Sequence, residues 1–335
     1  MVSPTEEGYR KEIEILRILS ENRMPMGSTV LQKELTKKGF LVNDRTVRYH
    51  LQLLAERGLI KNVGRHGRII TDKGLEELHN ALAFEKVNFV ITRYLSLAYR
   101  VSYNPQNRKG LVVANVSIVE KDSLERVLEI VRRLRREEIL PAPYMKILYE
   151  DEEYQNVYVP KGKIGIFTVC NLTFDGILMH AGIPLILRYG GLVQFVNRRP
   201  SRFTELVAYE GTTIPPPEIF VYRRLTSVMC FLETGSGMLP ANLREIPNEA
   251  REAAESILKE LRNDGWGGLV AIGKPNEPVL GVPVSMDRCG ISMIAGIIPL
   301  AALMEINIPA ETFAPHCLLP IEEMERIDDT DKIRF

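Results

Sequence analysis

The stretch VNDRTVRYHLQLLAERGLIKNVGRHGRII, residues 42–70, combines a short amphipathic helix with a basic hairpin. Asn43 or Asp44 can cap the helix, because a short side-chain oxygen accepts hydrogen bonds from free N–H groups of the first turn. Val47, Leu51 and Leu54 recur at helical spacing, so they share one buried face. The opposite face and its margins then carry the polar side chains Arg45, Thr46, Arg48, Tyr49 and Gln52.

Gly58 ends this helix, and a hairpin follows it. Leu59-Ile60 begins a strand, residues 62–67 contain the Asn and Gly that a tight turn needs, and residues 68–70 return. Helix, glycine stop and basic hairpin in this order predict a winged helix-turn-helix that binds double-stranded DNA. A small helical bundle with a solvated basic face is the alternative. The wing supplies the remaining candidate DNA contacts: Arg65, His66 and Arg68.

The charge balance localises this basic character. The 335-residue chain has 43 Lys and Arg against 43 Asp and Glu, and this zero net charge argues against a protein that coats nucleic acid generally. Residues 43–70, however, hold six Lys or Arg and only two acids. No run approaches the roughly 20 apolar residues of a membrane span, and charges stand where a signal peptide has its apolar core. The sequence therefore predicts a cytoplasmic protein with a local DNA site.

Helices before and after the recognition segment complete the first predicted domain. One covers residues 9–21, and Ser28 or Thr29 caps another, in which Val30, Leu31 and Leu35 face inward. A third runs from Lys73 to about residue 83. We place a domain boundary near Phe84, which gives a winged helix-turn-helix at residues 1–83 and a larger α/β effector-binding and dimerisation domain at residues 84–335.

Strand-like and helical segments alternate in the second domain. Residues 89–91 and 110–118 read as strands, residues 122–138 as a helix with a solvated arginine-rich face, and residues 141–161 as a polar connector. The segments GILMHAGI (Gly176–Ile183) and GISMIAGI (Gly290–Ile297) match at six of eight positions. This match favours two pseudo-symmetric lobes.

Chemistry-bearing motifs are few. The sequence has no phosphate-binding glycine loop, and its four cysteines have no metal-ligand spacing, so we expect no cofactor, metal, disulfide or catalytic group. Two alternatives stay open. One is an enzyme that uses Cys170 and His180 as a nucleophilic pair. The other is a metal- or redox-responsive regulator, for which His316-Cys317 and the other thiols provide candidate groups.

Anion binding is the stronger signal in this domain. Residues 226–232 read as a strand, and Gly235-Ser236-Gly237 directly after it allows consecutive N–H groups to turn toward an acceptor. Arg188, Arg199 and Arg288 lie beside turns, where a guanidinium can bind a carboxylate through two hydrogen bonds. These six residues predict a site for a small carboxylate effector.

Three segments of the second domain resemble the NrpR family, the nitrogen-responsive transcriptional repressors of methanogenic and related archaea. They are GLVQFVNRRPSRFTELVAYEGTTIPPPEIF (Gly191–Phe220), ETGSGMLPANLREIP (Glu233–Pro247) and MDRCGI from Met286. The resemblance covers nearly the whole chain. It implies a homodimeric repressor of nitrogen-assimilation genes that 2-oxoglutarate releases from its operator. Some members have two regulatory domains where this chain has one, which leaves open a second protein with another such domain as partner.

Overall fold

The computed structural model describes residues 4–22, 25–81 and 89–327. The chain divides into two compact units, residues 1–87 and 88–335. Phe84, where the sequence places the boundary, lies outside the described residues. Each unit has its own buried core, and the mixed α/β fold with an amino-terminal winged helix agrees with the prediction.

The first unit is a three-helix winged helix with one further helix. Helix α1 covers Pro4–Asn22, α2 Ser28–Lys37 and α3 Asp44–Glu56; strands β1 (Ile60–Asn62) and β2 (Arg68–Ile70) form the wing, and α4 covers Asp72–Asn80. Apolar side chains at helical spacing on α1, α2 and α3 meet in the core, among them Leu16, Leu35 and Leu51. Two predictions about α2 are wrong, because Gly27 is its N-cap and Val30 is 49% exposed.

The wing is attached to the chain before α2 by backbone hydrogen bonds. Met26 and Arg68 exchange two of them, at 2.9 and 3.0 Å, while β1 and β2 pair antiparallel with Ile60 opposite Ile70. Gly67 has a φ of 115°, and a Cβ there would overlap the carbonyl group of Met26. Only glycine fits this position, because other residues avoid that backbone region and lack the space.

Replacing Gly67 with Ala is therefore expected to lower the stability of the wing by about 1–3 kcal/mol, because the new Cβ would overlap the Met26 carbonyl group and force the backbone to shift. Hydrogen exchange at the Met26 and Arg68 amides would measure the loss directly. Gly64→Ala is the matched control, because Gly64 also has positive φ (59°) but a Cβ added there would have no atom within 4 Å. Equal protection in the two variants would contradict the steric explanation.

The second unit contains two five-stranded antiparallel sheets. Its helices are α5 (Phe89–Tyr99), α6 (Leu124–Arg136), α7 (Leu172–His180), α8 (Pro216–Tyr222), α9 (Val228–Thr234), α10 (Arg251–Asn263) and α11 (Ile298–Glu305). Its strands are β3 (Leu111–Glu120), β4 (Tyr144–Leu148), β5 (Glu153–Tyr154), β6 (Val157–Tyr158), β7 (Lys163–Val169), β8 (Ile186–Val196), β9 (Arg199–Ala208), β10 (Gly237–Pro247), β11 (Leu269–Ile272), β12 (Arg288–Ile294), β13 (Ala310–Pro320) and β14 (Glu325–Arg326).

The strand order shows that this unit consists of two topologically equivalent halves. One sheet has the order β13-β3-β7-β4-β14 and the other β11-β12-β10-β8-β9. The first half runs β3-α6-β4-β7-α7-β8 and the second β10-α10-β11-β12-α11-β13. The last strand of each half pairs with the first strand of the other, since β13 adjoins β3 and β8 adjoins β10. Each sheet is therefore completed by the opposite half.

The sequence predicts an internal repeat, but the two segments that it matches do not correspond in the structure. Gly176–Ile183 belongs to helix α7 and its following turn, whereas Gly290–Ile297 belongs to strand β12 and the turn after it. The positions that correspond between the two halves are instead Ala114-Asn115 on β3 and Ala241-Asn242 on β10. Ala114 lies opposite Val169 and Ala241 opposite Ile294, in each case the last residue of the neighbouring strand.

Three local predictions in this unit are wrong. Residues 89–91 begin a helix, residues 226–232 lie largely in helix α9, and the predicted connector at 141–161 contains strand β4 and the hairpin of β5 and β6. Short apolar runs do not separate a buried strand from a buried helix, because both patterns are nearly continuous. The predicted strand at 110–118 and the helix at 122–138 agree with the structure within a few residues.

Candidate functional site

The recognition helix α3 begins with the cap that the sequence predicts. The Asn43 side chain accepts hydrogen bonds from the backbone N–H of Thr46, at 2.8 Å, and from the Thr46 hydroxyl, at 3.0 Å. This satisfies one of the free donors of the first turn. Thr46 thus has a structural role beside the predicted one in DNA contact, since its hydroxyl is engaged in the cap.

The outer face of α3 presents polar side chains to solvent. Arg45, Tyr49 and Gln52 are exposed, and Arg45 has no ion pair with any residue that the structure describes. Arg48 is exposed but already has two partners. Its guanidinium forms an ion pair with the Asp44 carboxylate at 2.7 Å and donates to the Ser28 hydroxyl at 3.3 Å. The predicted DNA-contact residues of α3 therefore share one accessible surface, with Arg45 the freest cation on it.

A buried polar network under α3 was not predicted. His50 is 7% exposed, and its Nδ1 lies 3.3 Å from Glu12 of α1. Arg57 follows α3 and binds Glu12 at 2.8 Å and Glu77 of α4 at 2.7 Å. The network fixes α3 against two other helices. Its signal in the sequence was the spacing of His50 from Val47 and Leu54, which puts the imidazole on the buried face.

The wing is only partly described. Residues 64–66 form a short 3-10 turn between its strands, and His66 is exposed there. Arg68 is half-buried, whereas the side chain of Arg65 lies outside the described part of the chain. DNA contact by these three residues stays a prediction.

In the second unit, a polar cavity lies where the two halves meet. The Asn115 amide donates to the carbonyl oxygen of Gly296 at 2.9 Å, and the Tyr209 hydroxyl donates to Asn242 at 2.6 Å. Asn171, after β7, accepts from the Gly296 N–H at 3.3 Å. The cavity volume is about 30 Å³, room for one or two waters. Equivalent asparagines of both halves thus line one small chamber, together with Tyr94, Cys170, Pro215, Pro217, Glu218 and Arg244.

Arg244 is the buried cation of this cavity. Its side chain is fully buried and forms two hydrogen bonds with the carboxylate of Asp175 on α7, which is also buried. A third guanidinium nitrogen, Nη1, has no hydrogen-bond partner among the described residues, and neither has the side-chain oxygen of Asn115 or the side-chain nitrogen of Asn171. Buried polar atoms without partners are costly. The cavity is therefore prepared for a polar molecule.

Glu218, on α8, is the second ionisable group that lines the cavity. Burial raises the pKa of Glu218 to about 7, against the opposing effect of Arg93. A second cavity, of about 230 Å³, lies between residues 137–139 and 266–270 and is lined by aromatic, aliphatic and four charged side chains. Those four charges are already paired, Arg198 with Glu137 and Arg262 with Glu138.

The effector residues predicted from the sequence do not line the polar cavity. Arg188 lies 3.5 Å from the buried Glu245, while Arg199 and Arg288 stand at the beginnings of β9 and β12. Gly235 to Gly237 follow helix α9 instead of a strand. The Gly235 N–H donates to the Phe231 carbonyl oxygen at 2.8 Å, and the Ser236 N–H donates to the Thr234 hydroxyl at 3.1 Å. Neither N–H group is therefore free to bind an anion. Effector binding by these six residues stays a prediction.

The groups named in the alternative hypotheses differ in exposure: Cys170 and Cys289 are buried, Cys317 is half-buried and Cys230 is exposed. Burial raises the pKa of the Cys170 thiol to about 12, and the His180 ring bonds to the Tyr99 carbonyl oxygen at 2.9 Å. Within the described ranges, no three His, Cys, Asp or Glu residues are arranged to hold a metal ion. Helices of the described chain are all too short or too polar to cross a membrane.

A winged helix with an exposed polar face, joined in one chain to a larger α/β unit, is the architecture of a transcription regulator. Residues 87–326 match the family model for NrpR regulatory domains NRD1 and 2, and residues 13–78 match that for the ribonuclease R winged-helix domain. The chain belongs to the NrpR family, as its sequence segments indicated.

Individual relatives agree with this assignment. The global nitrogen regulator NrpRI of Methanosarcina mazei is 39% identical over 98% of this chain and 100% of its own length. The global nitrogen regulators NrpR of Methanocaldococcus jannaschii and Methanococcus maripaludis are 33% and 30% identical, and the match spans only 55% of each. A solved nitrogen repressor-like protein from Methanococcus jannaschii has a TM-score of 0.62 at 27% identity, over 72% of this chain and 99% of its own.

Proposed function

We propose that this protein is a transcriptional repressor of nitrogen-assimilation genes that binds a DNA operator and leaves it when 2-oxoglutarate binds. The observation that carries the proposal is the outer face of α3, where Arg45, Tyr49 and Gln52 are exposed on a helix whose other face is buried. Such a helix fits the major groove, where arginine and glutamine side chains can bond to base edges. Relatives named as nitrogen regulators support the physiological assignment.

The polar cavity is our preferred site for the effector. A dicarboxylate needs cationic and N–H donors in a desolvated setting, and Arg244 and the asparagines of both halves provide them. The cavity is too small for such a ligand, so the wall formed by Pro215, Pro217 and Glu218 must move outward on binding. Such a movement would transmit binding to the rest of the unit, which is the differential interaction that allostery requires.

The protein is expected to act as a homodimer, because one winged helix reads only a few base pairs and operator symmetry mirrors protein symmetry. Duplexes selected from a random-sequence pool should contain an inverted repeat. The chain spans about half the length of two relatives it matches. A second protein with another NrpR regulatory domain is therefore a further candidate partner.

Linkage between the two ligands tests the proposal. If 2-oxoglutarate weakens operator binding by some factor, operator DNA must weaken 2-oxoglutarate binding by the same factor. Calorimetric titration of 2-oxoglutarate, with and without the selected duplex, measures both quantities on one preparation. If the duplex leaves the affinity for 2-oxoglutarate unchanged, 2-oxoglutarate does not regulate DNA binding by this protein.

Single substitutions locate the effector. Asn171→Ala is expected to weaken 2-oxoglutarate binding about five- to 100-fold, the usual effect of losing one polar contact in a buried site. Single substitution of Arg188, Arg199 or Arg288 with Ala tests, in the same assay, the effector site predicted from the sequence. Loss of binding in those variants, with Asn171→Ala unaffected, would place the effector at the arginines instead of the polar cavity.

A further inference from the structure

The charges around the polar cavity do not suit a dianion as they stand. Among the residues that line it, only Arg244 and Glu218 carry charge near neutral pH. The charge of Arg244 is already balanced by Asp175. An ionised Glu218 would therefore stand as an uncompensated carboxylate in the wall that a dicarboxylate must contact.

The other groups around Glu218 do not remove this conflict. Arg93, on α5, is the cation that acts on it, but Arg93 is exposed and its guanidinium donates to the Pro315 carbonyl oxygen at 2.7 Å. The phenols around it stay neutral near pH 7, because burial raises the pKa of each. They are Tyr94 of α5, Tyr209 after β9 and Tyr222 of α8 itself.

We infer that Glu218 must carry a proton for a dicarboxylate to bind in this cavity, so effector binding takes up a proton wherever Glu218 is ionised beforehand. A protonated carboxyl group changes from a repelling anion to a hydrogen-bond donor for the ligand. The proton comes from solvent and stays on a Glu218 oxygen in the complex. This inference rests on the proposed effector function and specifies how the same site is regulated.

The burial of Glu218 places this protonation in the physiological range. Its pKa is raised to about 7, so the neutral form predominates at pH 6 and the ionised form at pH 8. The fraction able to bind then falls from about nine-tenths to about one-tenth, and apparent affinity falls in proportion. We expect the dissociation constant for 2-oxoglutarate to rise about tenfold from pH 6 to pH 8, a range in which both ligand carboxyls stay ionised.

The experiment is calorimetry of the full chain with 2-oxoglutarate at pH 6, 7 and 8, in two buffers of different ionisation enthalpy at each pH. Wild-type protein should take up close to one proton per ligand at pH 8 and far less at pH 6. Glu218→Gln, which is permanently neutral, should bind with the same affinity at all three pH values. Glu210→Gln is the matched control, because Glu210 is exposed and does not line the cavity, and it should keep the wild-type pH dependence.

The outcomes separate this inference from the function on which it rests. Wild-type binding whose affinity is constant from pH 6 to pH 8 would overturn the role of Glu218 and leave the effector in place. A pH dependence that persists unchanged in Glu218→Gln would do the same. Failure of both proteins to bind 2-oxoglutarate at any of these pH values would remove the effector itself, and the inference with it.

Discussion

Replacing Asp175 with Ala is expected to lower the free energy of unfolding of the second unit by about 3–5 kcal/mol. The substitution leaves the guanidinium of Arg244, which is 0% exposed to bulk solvent, without its counter-ion. Trp266 is the chain's single tryptophan and is 2% exposed in this unit, so its fluorescence in urea follows unfolding of this unit.

Two controls identify the cause of that loss. Glu137→Ala breaks the exposed pair with Arg198, which should cost far less, because solvent screens that pair. The double variant Asp175→Leu/Arg244→Met replaces both charges with apolar groups and should recover most of the stability that Asp175→Ala loses. A loss in Asp175→Ala no larger than that in Glu137→Ala would contradict the picture of a desolvated pair.

The winged helix was predictable because its signals are local. The Asn43 cap, the apolar spacing from Val47 to Leu54 and the glycine stop at Gly58 each act within a few residues. The same rules failed in short apolar segments of the second unit. Residues 89–91 and 226–232 read equally well as strands, and only tertiary packing made them helices.

The polar cavity could not be predicted, because it arises from contacts between distant residues. Asp175 and Arg244 are 69 positions apart in the chain, and Asn115 meets Gly296 across 181 positions. The sequence did contain one indirect signal. Arg244 and Glu245 interrupt the apolar residues of β10, and both side chains are at most 1% exposed. Charged residues inside an apolar strand indicate a buried ionic site more directly than arginines beside turns do.

The exchange of strands between the two halves has a consequence for regulation. Because β13 completes the sheet of β3 and β8 completes that of β10, the halves cannot separate without breaking two strand pairings. A movement that separates the halves would therefore break both pairings. Movement of peripheral elements such as α8 and the prolines before it, which form one wall of the polar cavity, leaves both pairings intact.

Substituting Arg45 and Arg48 together with Ala is expected to weaken operator binding by about 2–6 kcal/mol, since each arginine that bonds to a base is worth about 1–3 kcal/mol. Arg45 should account for the larger share, because Arg48 is already paired with Asp44 at 2.7 Å. The measurement is a salt-dependent titration of the selected duplex. Arg126→Ala/Arg136→Ala is the matched control, because it removes two exposed cations from α6 in the second unit.

Salt dependence separates base contacts from contacts with phosphate. Loss of a base contact should lower affinity for the operator more than affinity for unrelated duplex. The slope of log affinity against log salt concentration should change only as much as the removed charge requires. Arg68→Ala in the wing should instead weaken binding to all duplexes alike and reduce the slope by about one. Undiminished operator affinity in Arg45→Ala/Arg48→Ala would contradict the assignment of α3 as the recognition helix.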